Sequence, residues 1–343
     1  MKKQNKIAVI GAGSWGTAIS IVLANNGFHV DLFTLFGEQK DEININRTNN
    51  DFLPDVIIPS NVLAHTNLEE VLKDKKYIVL VVPSHVMRQV AKDINPYISE
   101  ENIIIHAAKG IELKTYLRMS EVIHNELPQV PVDNIVVISG PSHAEEVSKQ
   151  LPTTVVVAGV NINIVEEVQD LFINNEFRVY TNKDIIGTEL AGALKNIIAL
   201  GAGLSDGLGY GDNAKAALIT RGLAEISRLG IELKANPGTF SGLAGIGDLI
   251  VTCTSKHSRN WRAGYRLGKG VPLKVVLDEM GMVVEGVKAT QAAHYLAQQH
   301  NIEMPITNEL YKVLFENKEP KIAVEDLMGR VKTHEMETIY PLT

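Results

Sequence analysis

Residues 7–17 read Ile-Ala-Val-Ile-Gly-Ala-Gly-Ser-Trp-Gly-Thr. The four apolar residues suit a short buried strand, and from Thr17 to Asn26 apolar residues recur at helical spacing. Gly27 stands where a left-handed residue would close that helix, and Val30 to Phe33 reads as a second strand. Strand, glycine turn, helix and strand make the start of a βαβ unit. A G-x-G-x-x-G match alone is a weak signal, and a purely structural turn is the alternative. In this context each glycine has a separate role. Gly11 permits the tight turn, Gly13 lets backbone approach a pyrophosphate, and Gly16 lets helix pack on strand. The first helical turn, with Ser14 and Trp15, would aim free N–H groups at phosphate oxygens. The stretch therefore predicts dinucleotide binding.

Further apolar runs bounded by polar segments follow at Tyr77–Val82, Ile103–Ala107, Ile135–Ile138 and Thr154–Ala158. Continuous apolar strands alternating with helical patterns such as Val86–Ile94 indicate a mainly parallel sheet covered on both faces. From about Asp184 the texture changes to long Ala/Leu/Ile patterns at helical period: Ile185–Leu200, Asn213–Leu229, Arg259–Leu267 and Gly286–Gln299. The expected fold is an α/β chain with an N-terminal doubly wound, Rossmann-like domain over 1–183. A C-terminal all-helical domain for substrate and catalysis covers 184–343. The segment after Lys332 has no strong pattern.

The bulk numbers agree, since 343 residues suit two domains, and 45% hydrophobic with 21% charged residues is an ordinary globular balance. Basic residues number 33 against 40 acidic, a formal charge of −7, which argues against a general nucleic-acid binder. The sole cysteine, Cys253, allows no internal disulfide and fits a reducing compartment, so a cytoplasmic location is expected. Met1-Lys2-Lys3 before the uncharged run Ile7–Ala24 imitates a secretory signal, but six of those 18 positions are Gly, Ser or Thr and no cleavage site follows. No other segment reads as a membrane span, so no membrane insertion is expected.

Three places join functional groups to turns or helix starts. Lys109 follows a parallel strand at the sheet edge where ligands bind in open α/β folds. Lys195 sits with Asn196 in an otherwise apolar helix, where burial would lower an amine pKa from roughly 10.4 toward a range useful for a general base. The alternative is that Lys195 snorkels to the surface. Gly245-Ile246-Gly247-Asp248 is followed by Ser258-Arg259-Asn260, with Ser258 as a helix N-cap. An arginine beside the positive end of a helix makes sense if an anion such as phosphate is gripped there. Asp31, alternating away from Leu32 and Thr34, reads as a solvated strand residue, and the end of the second strand offers neither the acid nor the arginine that would separate NAD from NADP. No metal spacing is present, and Ser139-Gly140-Pro141-Ser142 lacks the nucleophile-elbow pattern of a serine hydrolase.

Taken together, the motifs resemble the soluble bacterial-type NAD(P)-dependent glycerol-3-phosphate dehydrogenases. The resemblance runs in order through Gly11–Ala18, Ala108–Glu112, Ser139–Ala144, Leu194–Asn196, Gly209–Asn213, Gly245–Leu249, Ser258–Asn260 and Val283–Gly286, and so covers nearly the whole chain. It implies interconversion of dihydroxyacetone phosphate and sn-glycerol 3-phosphate, supply of phospholipid backbone, a cytoplasmic homodimer, and NAD or NADP as cofactor. Carried over residue by residue, it implies Lys195 as proton acceptor, with Lys109, Gly140, Ser142, Asp248, Ser258, Arg259 and Asn260 around the glycerol phosphate. Ser14, Trp15, Lys109, Ala144, Arg259, Val283 and Glu285 would line the cofactor beside Gly11, Gly13 and Gly16. One departure is Leu35, where the family commonly has a basic residue, which puts a strong NADP preference in doubt; Phe36 is expected to lie against the adenine. The rival readings are a related two-domain hydroxyacid or hydroxyacyl dehydrogenase and a dinucleotide sensor without turnover.

Overall fold

A computed structural model of the chain describes residues 6–281, 283–332 and 334–335. Most of the segment after Lys332 lies outside the described residues. The chain forms two compact units, one of Met1–Ala108 with Met119–Ile185, the other of Lys109–Arg118 with Ile186–Thr343.

The first unit is built on eight strands: β1 Lys6–Ile10, β2 His29–Phe33, β3 Val62–His65, β4 Tyr77–Leu80, β5 Ile103–His106, β6 Ile135–Ser139, β7 Thr153–Ala158 and β8 Phe177–Asn182. Their order is β3-β2-β1-β4-β5-β6-β7-β8, and only β6 and β7 pair antiparallel. In register, Ile10 lies between Phe33 and Leu80, so the ends of β2, β1 and β4 line up where the chain enters the glycine turn. Every residue of β4, β5 and β6 is buried, as helices on both faces require. The edge strands β3 and β8 alternate buried and exposed positions, with Leu63 and Tyr180 turned outward, so they carry no unbroken buried run.

One expectation fails here. Asp31 is not a solvated strand residue: its carboxylate lies 2.7 Å from Lys75 Nζ and 3.1 Å from His65 Nε2, and the Lys75 side chain is only 2% exposed. An ammonium that deep needs a counter-charge, and Asp31 is the one that meets it.

The second unit is helical. Its central helix, Ile185–Leu208, runs eight residues beyond the pattern end at Leu200. It is also long and apolar enough to cross a membrane, contrary to the expectation that no other segment is, yet 94% of that window is buried in the protein. Along it, Gly203 and Gly207 face Gly264 and Gly268 of the helix Arg259–Gly268. A Cβ on Gly264 would stand 1.9 Å from the Leu200 carbonyl oxygen, and one on Gly203 would stand 2.0 Å from that of Trp261. The two backbones therefore touch directly along a seam that any side chain would force apart.

A second device orders the far helices. Glu225, in the helix Asp212–Glu232, accepts the N–H groups of Ile306 at 2.7 Å and Thr307 at 3.2 Å. The helix Pro305–Phe315 has no side-chain cap of its own, so this carboxylate serves as one from another element. Burial raises the Glu225 pKa to about 7, against the opposing pull of those N–H donors and of Arg228.

Candidate active site

The glycine turn is built as its sequence demands. Gly11 has φ +112°, and a Cβ there would lie 2.4 Å from the Val81 carbonyl oxygen; a Cβ on Gly16 would lie 1.8 Å from that of Gly11. Gly13 is the N-cap of the helix Ser14–Asn25, which has no capping side chain and no acid in its first turn. A Cβ on Gly13 would meet nothing within 4 Å, so the space before the helix start is open. Open space, bare N–H groups and a positive dipole end fit the pyrophosphate of a nicotinamide dinucleotide.

Beneath the turn lies a polar network with no local sequence signal. The Ala12 carbonyl accepts from Gln39 Nε2 at 2.7 Å and Asn49 Nδ2 at 2.9 Å. Asn49 also donates to Thr17 Oγ1 at 2.8 Å, and the Thr34 hydroxyl donates to Gln39 Oε1. Thr34, Gln39, Asn49 and Thr17 are all buried, so the loop is held from below by satisfied hydrogen bonds. Ser14 Oγ donates to the Phe52 carbonyl at 2.5 Å, Trp15 packs on the apolar core, and Leu35 and Phe36 stand exposed beyond β2. Gly140, with φ +126°, begins the turn after β6; Ser142 Oγ donates to the Gly140 carbonyl at 3.0 Å, and buried Ala144 opens the next short helix.

In the second unit, a single carboxylate collects two lysines. Asp248 Oδ1 lies 2.5 Å from Lys195 Nζ and Oδ2 lies 2.7 Å from Lys109 Nζ. Asp248 side-chain exposure is 2%, that of Lys195 6% and that of Lys109 23%. Lys195 does not snorkel. Its ammonium also donates to Thr252 Oγ1 at 2.7 Å, and that hydroxyl donates to the Asp248 carbonyl at 2.6 Å. Burial is the main reason the Lys195 pKa falls, to about 8; Asp248 pulls it up and Lys109 pushes it further down. Burial works against the Asp248 charge, but the two ammonium groups outweigh it and hold the carboxyl below its ordinary range. Next to working pH, Lys195 can both give and take a proton.

An amide relay backs this cluster. The Gly286 N–H donates to Asn260 Oδ1 at 2.8 Å, Asn260 Nδ2 donates to Asn196 Oδ1 at 2.8 Å, and Asn196 Nδ2 donates to the Lys109 carbonyl at 3.3 Å. Asn260 is thus turned inward and tied to two helices. Ser258 is the N-cap of the Arg259 helix, its hydroxyl accepting the Trp261 N–H at 3.2 Å, while Arg259 at the first position is exposed. Val283 and Glu285 flank the start of the helix Glu285–His300. Thr252 was not among the residues expected at the site, and Asn196, noted beside Lys195, had been given no role there. Thr252, one turn after Asp248, had a readable helical spacing, whereas the role of Asn196 depends on residues 64 and 87 positions away. Among the described residues, no group of three or more His, Cys, Asp or Glu could hold a metal ion.

Comparison with known proteins places the chain in a family. Residues 6–165 match the model described as NAD-dependent glycerol-3-phosphate dehydrogenase N-terminus, and residues 184–325 match the corresponding C-terminus. The glycerol-3-phosphate dehydrogenase [NAD(P)+] of Halalkalibacterium halodurans is 57% identical over 334 residues, covering 97% of this chain and 96% of that protein. That of Bacillus velezensis is also 57% identical, covering 97% of each chain. The crystal structure of glycerol-3-phosphate dehydrogenase from Coxiella burnetii superposes with a TM-score of 0.90 at 41% identity, covering 96% of this chain and all of the other.

Proposed function

The chain belongs to the NAD-dependent glycerol-3-phosphate dehydrogenases, and from that premise we propose how its own residues divide the work. It interconverts dihydroxyacetone phosphate and sn-glycerol 3-phosphate with NAD or NADP, and so supplies glycerol 3-phosphate for phospholipid synthesis. The glycine turn Gly11–Gly16 would hold the dinucleotide, which would supply the hydride acceptor or donor for C2 of the substrate.

Lys195 handles the proton that accompanies the hydride. In oxidation, neutral Nζ accepts the C2 hydroxyl proton as the C–O bond becomes a carbonyl; in reduction, the ammonium returns that proton to the forming alkoxide. Asp248 and Thr252 hold Nζ in place, with burial keeping its pKa at about 8. Lys109 lies on the same carboxylate, where it polarises the C2 oxygen and lowers the pKa of Lys195. Arg259, exposed at the start of its helix, grips the phosphate, and Ser258 and Asn260 fix the helix tip that presents it. Gly140 and Ser142 complete the substrate contacts. Gly11, Gly13, Ser14, Trp15 and Gly16 take the pyrophosphate, with Phe36, Ala144, Val283 and Glu285 along the rest of the cofactor. Exposed Phe36 faces the adenine, and unchanged dinucleotide affinity in Phe36→Ala would remove that assignment. The assembly is a cytoplasmic homodimer without membrane insertion. The family motifs support the dimer, and burial of the Ile185–Gly207 window supports the absence of insertion.

The observation that carries these roles is the buried Lys195 amine held on Asp248 and Thr252. In an assay of dihydroxyacetone phosphate with reduced dinucleotide, Lys195→Ala should lose turnover by roughly 100-fold or more while binding NADH as before. Retained turnover in that variant would overturn the assignment.

A further inference from the structure

The ten residues Lys109–Arg118 leave the first unit, join the second and return, and the Ile185–Leu208 helix fastens this strap at both ends. At the near end, Asn196 Nδ2 donates to the Lys109 carbonyl. At the far end, the Arg118 guanidinium is paired with the carboxylate of Glu189. Glu189 and Asn196 are seven residues apart, two helical turns, so both fastenings leave one helix face. The strap is also closed on itself. Ile111 bridges to Arg118, the Glu112 N–H donates to the Leu117 carbonyl at 3.0 Å, and the Tyr116 N–H donates to the Glu112 carbonyl at 2.8 Å. Whatever fixes Arg118 therefore fixes Ile111, two residues from Lys109.

The Glu189 side chain is 3% exposed and that of Arg118 16%. An ion pair this deep gains little stability after desolvation, and its best-attested use is to select one register of the elements it joins. We propose that the Arg118–Glu189 pair is a positioning clamp that sets the register of the strap and thereby keeps the Lys109 ammonium on Asp248. Both residues act through Lys109, so the proposal rests on the role given to Lys109 above.

The test compares Arg118→Met with Lys109→Ala in the full-length enzyme, following turnover of dihydroxyacetone phosphate with NADH across pH. A displaced strap should lower kcat on the order of 10-fold with little change in KM for NADH. It should also move the alkaline fall of the reduction rate upward, in the direction Lys109→Ala moves it. Burial, Asp248 and Cys253 still act on Lys195 in both variants, and only the depressing charge of Lys109 is weakened or gone. Arg118→Lys, which keeps the charge, should recover most of the kcat. If Lys109→Ala is impaired but Arg118→Met keeps the wild-type kcat and pH profile while melting earlier, the pair only stabilises the fold and the clamp is overturned. If Lys109→Ala itself changes neither, the role of Lys109 falls and the clamp falls with it. Should Arg118→Met not fold, the double variant Arg118→Met with Glu189→Met removes both charges of the pair and is judged by the same two readings.

Discussion

Asp248 Oδ1 lies 2.5 Å from Lys195 Nζ, inside protein, while the other oxygen of the same carboxylate holds Lys109. Burial is what lets Lys195 lose its proton at about pH 8; Asp248 opposes that loss and Lys109 favours it. The sign of the pH dependence follows. With a pKa lowered to about 8, mainly by burial, Lys195 is protonated below that pH, so reduction should fall and oxidation rise as pH passes through about 8. Asp248→Asn removes the charge that raises this pKa and keeps the Lys109 charge that lowers it. Both profiles should therefore move to lower pH, with reduction at pH 7 down roughly 10-fold. Steady-state rates in both directions across pH would check this, and an upward move would contradict it.

Gly264→Ala places a methyl group where the Leu200 carbonyl oxygen already stands, 1.9 Å away. Backbone cannot yield as a side chain can, so the Arg259 helix must shift outward, taking Asn260 off Asn196. The expected loss is about 1–3 kcal/mol in urea unfolding, with reduced affinity for substrate at the displaced helix tip. Full stability in this variant would mean that the seam is looser than its geometry indicates.

Glu225 makes stability depend on pH in the direction opposite to an ordinary carboxylate. Its folded pKa is raised from 4.5 to about 7, chiefly by burial, so its favourable contribution is complete below the unfolded value and is lost as pH rises through about 7. The change is at most about 3 kcal/mol between those limits. In Glu225→Gln that pH dependence should vanish, and denaturant unfolding at pH 5 and pH 8 in both proteins would measure it.

The first unit was legible because strands buried on both faces leave unbroken apolar runs, as at Ile135–Ile138, and because the glycine turn is local. Strands β3 and β8 were passed over because an edge strand shows half its residues to water. Lys195 stood out as a charge in an apolar helix, and Ser258 as a helix start. What stayed hidden joins residues far apart in sequence: Lys75 on Asp31, Asn260 on Asn196, Arg118 on Glu189, Gln39 and Asn49 on the Ala12 carbonyl. Such partners answer a burial cost that arises only after folding, so no spacing records them.

The excursion of Lys109–Arg118 means that the polypeptide changes unit three times, after Ala108, Arg118 and Ile185. The two units are therefore not separable gene blocks. A fragment cut at residue 186 would leave Asp248 with one of its two amines and Glu189 without its arginine. Chimeras of this enzyme with relatives should keep their parts compatible only if the ten-residue insert travels with the helical half.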